Sequence, residues 1–201
     1  MVEPAETPVV QPVETFRYGV EILHLLVSPA HAYFGRARDG AADVPTTDAS
    51  QVEVVEGKGI VGDRFFGKAA HMDAAVSLFA VEALEAIAAE LGAGPFDPLL
   101  TRRNVVLRGA QLAPLLGQDF VLESGGDAVR FHGGRHAQPC AWMNEMLAPG
   151  AHPAMRGRGG IRCRALSSGV LHRGPAVLVS PVPLDAERAG VPSLLRPSRL
   201  P

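Results

Sequence analysis

The chain has 201 residues, 47% hydrophobic, 20% charged and 5% aromatic, with a net charge of −2. That length bounds it to one domain or two small ones, and the apolar fraction supplies a core and excludes global disorder. Scarce aromatics and a near-neutral balance argue against nucleic acid as a partner. The charge is unevenly spread, with ten Arg against four acids (Asp119, Glu123, Asp127, Glu145) from Thr101 to Arg173. A basic half in a near-neutral protein favours a small anionic ligand.

Residues 1–15 are acidic and Pro-rich, and read as a disordered lead-in. They lack the basic start and apolar stretch of a signal peptide. No run approaches the ~20 apolar residues that span a bilayer, so no membrane association is expected. Two cysteines make no disulfide framework, and a reduced, cytoplasmic protein is the default. Residues 16–182 read as one domain of short strands: Val20–Val27, Val52–Val55, Ala75–Phe79, Val105–Leu107, Phe120–Leu122, Val129–Phe131, Ile161–Leu166 and Ala176–Val179. Each is bounded by Gly, Pro, Asp or Ser, which predicts a mainly β barrel or sandwich with a few helices. Val81, Leu84, Ile87, Ala88 and Leu91 recur at helical spacing, and Gly92 suits the stop. A second, shorter helix is predicted from Ala141 to Leu147. Residues 183–201 form a Pro-rich tail whose Leu194, Leu195 and Leu200 leave it able to dock.

Three segments carry a recognisable order: Gly59-Ile60-Val61-Gly62-Asp63-Arg64, then Arg103-Asn104-Val105-Val106-Leu107-Arg108-Gly109, then Pro139-Cys140 followed by Gly159-Gly160-Ile161-Arg162-Cys163-Arg164. Together, over Tyr18 to Pro181, they resemble the MOSC domain family, in its stand-alone bacterial form. The resemblance implies a MOSC-like β-barrel that binds the molybdenum cofactor (molybdopterin). It implies reduction of N-hydroxylated compounds, such as hydroxylaminopurines and amidoximes, to amines. Cys140 matches the family cysteine, a molybdenum ligand or sulfur carrier. Asp63-Arg64 matches the Gly-Asp-Arg turn, and Asn104 the Arg-Asn position. The chain departs from the family in placing Phe65-Phe66-Gly67, rather than an early His, after that turn.

The residues themselves are compatible with this. Molybdenum takes soft thiolate ligands, and thiolates are favoured at helix N-termini and near Arg or His⁺. Pro139 precedes Cys140 where the second helix should start, with Arg135 and His136 close in sequence. Alternation puts Cys163 with Ile161 and Ala165 on a core face, and Arg162 and Arg164 on the other. Those two arginines face either a phosphate or pterin, or solvent at an edge strand. Arg156-Gly157-Arg158-Gly159-Gly160 is a basic loop whose arginines and N–H groups can grip a phosphate. Taken with what the resemblance implies, the candidate cofactor contacts are Arg64, Arg103, Asn104, Arg158, Arg162 and Arg164, with Asp63 and His136 as substrate or supporting residues. Asp63-Arg64 reads equally as an ion pair locking a turn. A zinc site from His132, His136 and Cys140 is a weaker alternative, because Gly133, Gly134 and Pro139 break the helix that would align them. Neither Lys58 nor Lys68 suggests a Schiff base, and no Gly-x-Ser-x-Gly frame surrounds Ser168.

Three functions follow. The first is a small oxidoreductase holding molybdenum cofactor through Cys140. With no flavin or iron–sulfur motif, it would need a separate electron-donating reductase. The second is a carrier of the cofactor, or of persulfide sulfur on Cys140, without turnover. The third is an interaction module whose cysteine is incidental.

Overall fold

A computed structural model describes residues 15–193. The lead-in expected over 1–15 falls, apart from Thr15, outside the described residues, as do Leu194, Leu195 and Leu200. The strands are β1 (Phe16–Val27), β2 (Thr47–Asp48), β3 (Gln51–Val55), β4 (Gly59–Ile60), β5 (Val76–Ala80), β6 (Val105–Arg108), β7 (Asp119–Ser124), β8 (Asp127–His136), β9 (Ile161–Ala165), β10 (Gly169–His172) and β11 (Gly174–Ser180). The helices are α1 (Val81–Leu91), α2 (Trp142–Met146) and α3 (Ala151–Ala154).

Seven strands close on themselves in the order β1, β11, β7, β8, β9, β5, β6, with β6 pairing back to β1. The fold is therefore mainly β, a closed barrel, which removes the free sheet edges. All these pairings are antiparallel except β5–β6, which α1 joins as a crossover. A second sheet, β10-β3-β4, lies beside the barrel.

Alternation builds the interior. Val20 and Ile22, Val76 and Leu78, Phe120 and Leu122, Val129 and Phe131, and Ile161 and Cys163 share one buried cluster. The outer face of β5 and β6, through Phe79 and Val106, carries a second cluster with the helices. This double covering explains why all five residues of β5 are buried. The α1 helix presents Val81, Leu84 and Ile87 to that cluster, each stabilising by roughly 1.5–3 kcal/mol. It stops at Gly92, whose φ of 60° is left-handed.

Two local features position the site. The β8 strand runs on through Gly133 and Gly134 to His136, further than its apolar pattern predicts. A side chain at Gly133 would collide with the Leu115 carbonyl, so only glycine lets the strand continue there. A bulge between Gly133 and Arg135 then pairs Arg135 with Arg162 of β9. Residues 183–193 lie against the barrel: Leu184 packs on the core, its N–H donates to the Tyr18 hydroxyl (2.7 Å), and Ala189 is buried.

Candidate functional site

The Gly-Asp-Arg turn and the Arg-Asn segment meet in one buried polar knot. The Asp63 carboxylate is fully buried and accepts from Phe65 N (3.0 Å), Asn104 Nδ2 (3.0 Å) and the Arg64 guanidinium (3.2 Å). Asn104 Nδ2 also donates to the Leu26 carbonyl (3.2 Å). Its Oδ1 accepts from the Ser77 amide (3.1 Å) and hydroxyl (2.8 Å). Asn104 thus joins β1, β5 and the 62–65 turn, and its side-chain groups are spent on protein partners. Arg64 also donates to the Arg102 carbonyl (3.2 Å), while its buried Nε has no partner among the described residues.

Above this knot lies a cleft of about 180 Å³, lined by His31, Tyr33, Arg64, Phe65, Arg102, Arg103, Cys140 and Arg162 among others. None of the described residues that line it is acidic. Cys140 is exposed there. Its carbonyl accepts from Met143 N (3.0 Å), and α2 itself begins two residues later and spans only five. So short a helix offers little dipole, and the arginines provide most of the positive field.

Each arginine has a distinct task. Arg103 is buried, and its fork donates to the carbonyls of Gly159 (2.9 Å), Thr101 (3.3 Å), Ala137 (3.2 Å) and Gln138 (3.3 Å). It therefore pins the chain just before Cys140 instead of reaching outward. Burial, reinforced by Arg162, pulls its guanidinium down to about 10, so it stays charged at neutral pH. Arg102 sits at a left-handed φ of 55° and donates to Ser28 Oγ (2.8 Å), the Ala30 carbonyl (3.0 Å) and Thr46 Oγ1 (3.1 Å). It holds the 28–46 loop over the cleft. The Arg162 side chain makes no hydrogen bond or ion pair among the described residues. Its guanidinium lies over the Phe65 ring at 5.1 Å, and that of Arg64 lies 4.8 Å from the same ring. Burial lowers the affinity of both for protons. An anion would reverse that penalty.

The sequence-derived candidates separate into two groups. Cys140, Arg64, Arg103 and Arg162 line the cleft, and Asp63 and Asn104 lie in the knot beneath it. Arg158 points elsewhere, donating to Glu90 (2.6 Å) and to the carbonyls of Ala154 and Gly190. Arg164 pairs with Asp73 (3.3 Å) on an exposed face. His136 lines a separate small cavity with Arg158, and burial lowers its pKa. His132 pairs with Asp119 (2.7 Å). The three residues of the zinc alternative thus have different surroundings. No group of three or more His, Cys, Asp or Glu suited to a metal ion occurs among the described residues.

The sequence marks no candidate at His31, Tyr33 or Arg102, and names Phe65 only in the departure that follows the Gly-Asp-Arg turn. Tyr33 stacks on Trp142 (5.3 Å, 11°) and donates to the Leu100 carbonyl (2.7 Å). Burial pushes its phenol up to about 12. The loop carrying His31 and Tyr33 has no motif; the available signals were one of only two tyrosines and Phe65 beside Asp63-Arg64.

The closed barrel thus brings a cysteine and several arginines together in one cleft. The chain matches the MOSC domain family over residues 58–178 and belongs to it. That family is associated in general with the molybdenum cofactor. Among solved structures, the chain is similar to the YuaD protein from Bacillus subtilis, with 18% identity, 85% of this chain and 99% of that one covered, and a TM-score of 0.62. It is also similar to YiiM from Geobacillus stearothermophilus, with 20% identity, coverage of 79% and 74%, and a TM-score of 0.55. At such identities both likenesses speak for the fold alone. No curated protein matches the chain significantly. The cleft wall at His31 and Tyr33 lies outside the matched segment. No helix is long and apolar enough to cross a membrane among the described residues.

The cleft fits the family's cofactor chemically. It offers one accessible soft ligand, Cys140, together with two unsatisfied cationic donors, Arg162 and Arg64 Nε, for an anionic group.

Proposed function

We propose that this protein binds the molybdenum cofactor through Cys140 and reduces N-hydroxylated compounds to the corresponding amines. The observation that supports it is the meeting, in one cleft, of the exposed Cys140 thiol with Arg162 and an Arg64 Nε that lacks a partner, with no acid lining it among the described residues. When bound, the cofactor supplies the two-electron redox chemistry. The chain supplies the thiolate ligand, and Arg162 and Arg64 hold the cofactor's phosphate. Arg103 fixes the loop from Ala137 to Cys140, and Tyr33 on Trp142 walls the cleft. Overall, an N–OH group takes two electrons and two protons to give an N–H group and water. The electrons come from a separate reductase, since the chain has only two cysteines, one of them buried, and no flavin or iron–sulfur motif.

The exposure of Cys140 favours one rival, a carrier that presents the cofactor or a persulfide to another enzyme. Reconstituted protein is tested with a hydroxylaminopurine or amidoxime and an artificial reductant, alongside elemental analysis for molybdenum. Turnover with bound molybdenum, both lost in Cys140→Ser, is expected. Bound metal without turnover favours the carrier. A Cys140→Ser variant with full metal content overturns the assignment of the ligand.

A further inference from the structure

The cleft continues into a second, wider lobe of about 510 Å³, and the two share His31, Arg64 and Phe65 as a common wall. The outer lobe adds Lys68 and His71 to that wall, and Pro29, Ala30, Ala69 and Ala70 give it an apolar floor. As in the inner lobe, none of the described residues that line it is acidic. Of its two Lys or Arg side chains, Arg64 is largely spent on Asp63 and the Arg102 carbonyl, which leaves Lys68. Lys68 is exposed and forms no ion pair among the described residues. The His71 Nδ1 atom is buried without a hydrogen-bond partner among the described residues, as is Arg64 Nε. His71 and His31 both pack on the Phe65 ring, at 4.6 and 5.2 Å, which fixes their imidazoles along the lobe.

The inner lobe, with Cys140, is too small to hold both a cofactor and a whole substrate, whereas the outer has the size of an ordinary ligand site. An apolar floor with donors and cations at its wall suits a flat or sugar-bearing body that ends in an anion. We propose that the outer lobe is a subsite for a phosphate monoester carried by the substrate, so that the protein acts on N-hydroxylated nucleotides in preference to free bases. Lys68 is the principal charge in that subsite, with His71 and His31 as neighbouring donors. The inference rests on the reductase reading above. The cofactor's own phosphate is the other source of the same chemistry, and the experiment separates the two.

The test compares kcat/KM for 6-hydroxylaminopurine and for its nucleoside 5′-monophosphate on reconstituted protein. The nucleotide is expected to be preferred about ten-fold at low salt, with the preference shrinking as salt screens the exposed Lys68. Lys68→Glu, at an exposed position, should lower that preference ratio by about ten-fold or more while molybdenum content stays unchanged. A second readout needs no turnover: adenosine 5′-monophosphate should bind the cofactor-free protein, and bind Lys68→Glu more weakly. A preference ratio near one overturns the proposal, as does equal binding of the monophosphate to both proteins. Loss of molybdenum from Lys68→Glu with an unchanged ratio assigns the lobe to the cofactor's phosphate and overturns it too. If neither substrate turns over, the reductase reading fails, and the monophosphate titration still decides the subsite.

Discussion

Asn104 and Arg103 are adjacent in sequence and do different work. Asn104 satisfies Asp63, Leu26 and Ser77 in a site closed to water. Asn104→Ala leaves a buried carboxylate short of a donor, and each orphaned group costs about 1–3 kcal/mol. A loss of roughly 2–4 kcal/mol in urea unfolding is expected. Arg103 is a different case, because its partners are four carbonyls and no carboxylate. Arg103→Lys keeps a charge but cannot reproduce the planar fork. It should cost about 1–3 kcal/mol of stability. On the function proposed above, molybdenum retention should also fall, because the fork pins Ala137 and Gln138. Equal retention with lowered stability would confine Arg103 to a structural role. The family motif marked both residues, yet nothing local showed that the knot and the loop would consume their polar groups.

Among the elements, α1, α2 and most strands follow from period and punctuation, and the structure places them where those patterns do. The exceptions lie where backbones approach closely. The β8 strand extends past its apolar run because two glycines admit neighbouring chains. Gly160 shows the same constraint beside the site. Its φ is 86°, a Cβ there would strike the Leu78 carbonyl, and its own carbonyl accepts from Ala137 N (2.9 Å). Gly160→Ala therefore combines backbone strain with a clash, and should destabilise by about 3 kcal/mol or more in thermal or urea unfolding. An unchanged unfolding midpoint would mean that the β5–β9 contact relaxes freely. The β8–β9 bulge is another feature hidden from the sequence. Arg162 and Arg164 share a strand face, yet only Arg162 reaches the Phe65 ring and the cleft, while Arg164 is drawn to Asp73.

For the whole molecule, acid stability follows from two histidines. Burial, with Arg64 and Arg102 adding to it, holds His31 below its ordinary value of 6.5. Burial alone does the same for His136. In the unfolded chain both bind protons near 6.5, whereas the folded chain resists. Their contribution is thus full above that pH and is lost as pH falls toward the lowered folded values. The melting temperature should drop from pH 7.5 to about 5.5, before most carboxylates titrate. A His31→Gln, His136→Gln double variant should show a shallower drop, and an identical slope would place the acid sensitivity elsewhere. Sequence alone determined the β-rich class, the α1 helix, the separation of core Cys163 from Cys140, and the family, because each rests on local period or on ordered motifs. Only the tertiary structure decided which arginines meet Cys140. That choice depends on barrel closure, on the β8–β9 bulge and on the seating of the 28–46 loop. Those are contacts between distant segments, and no spacing along the chain encodes them locally.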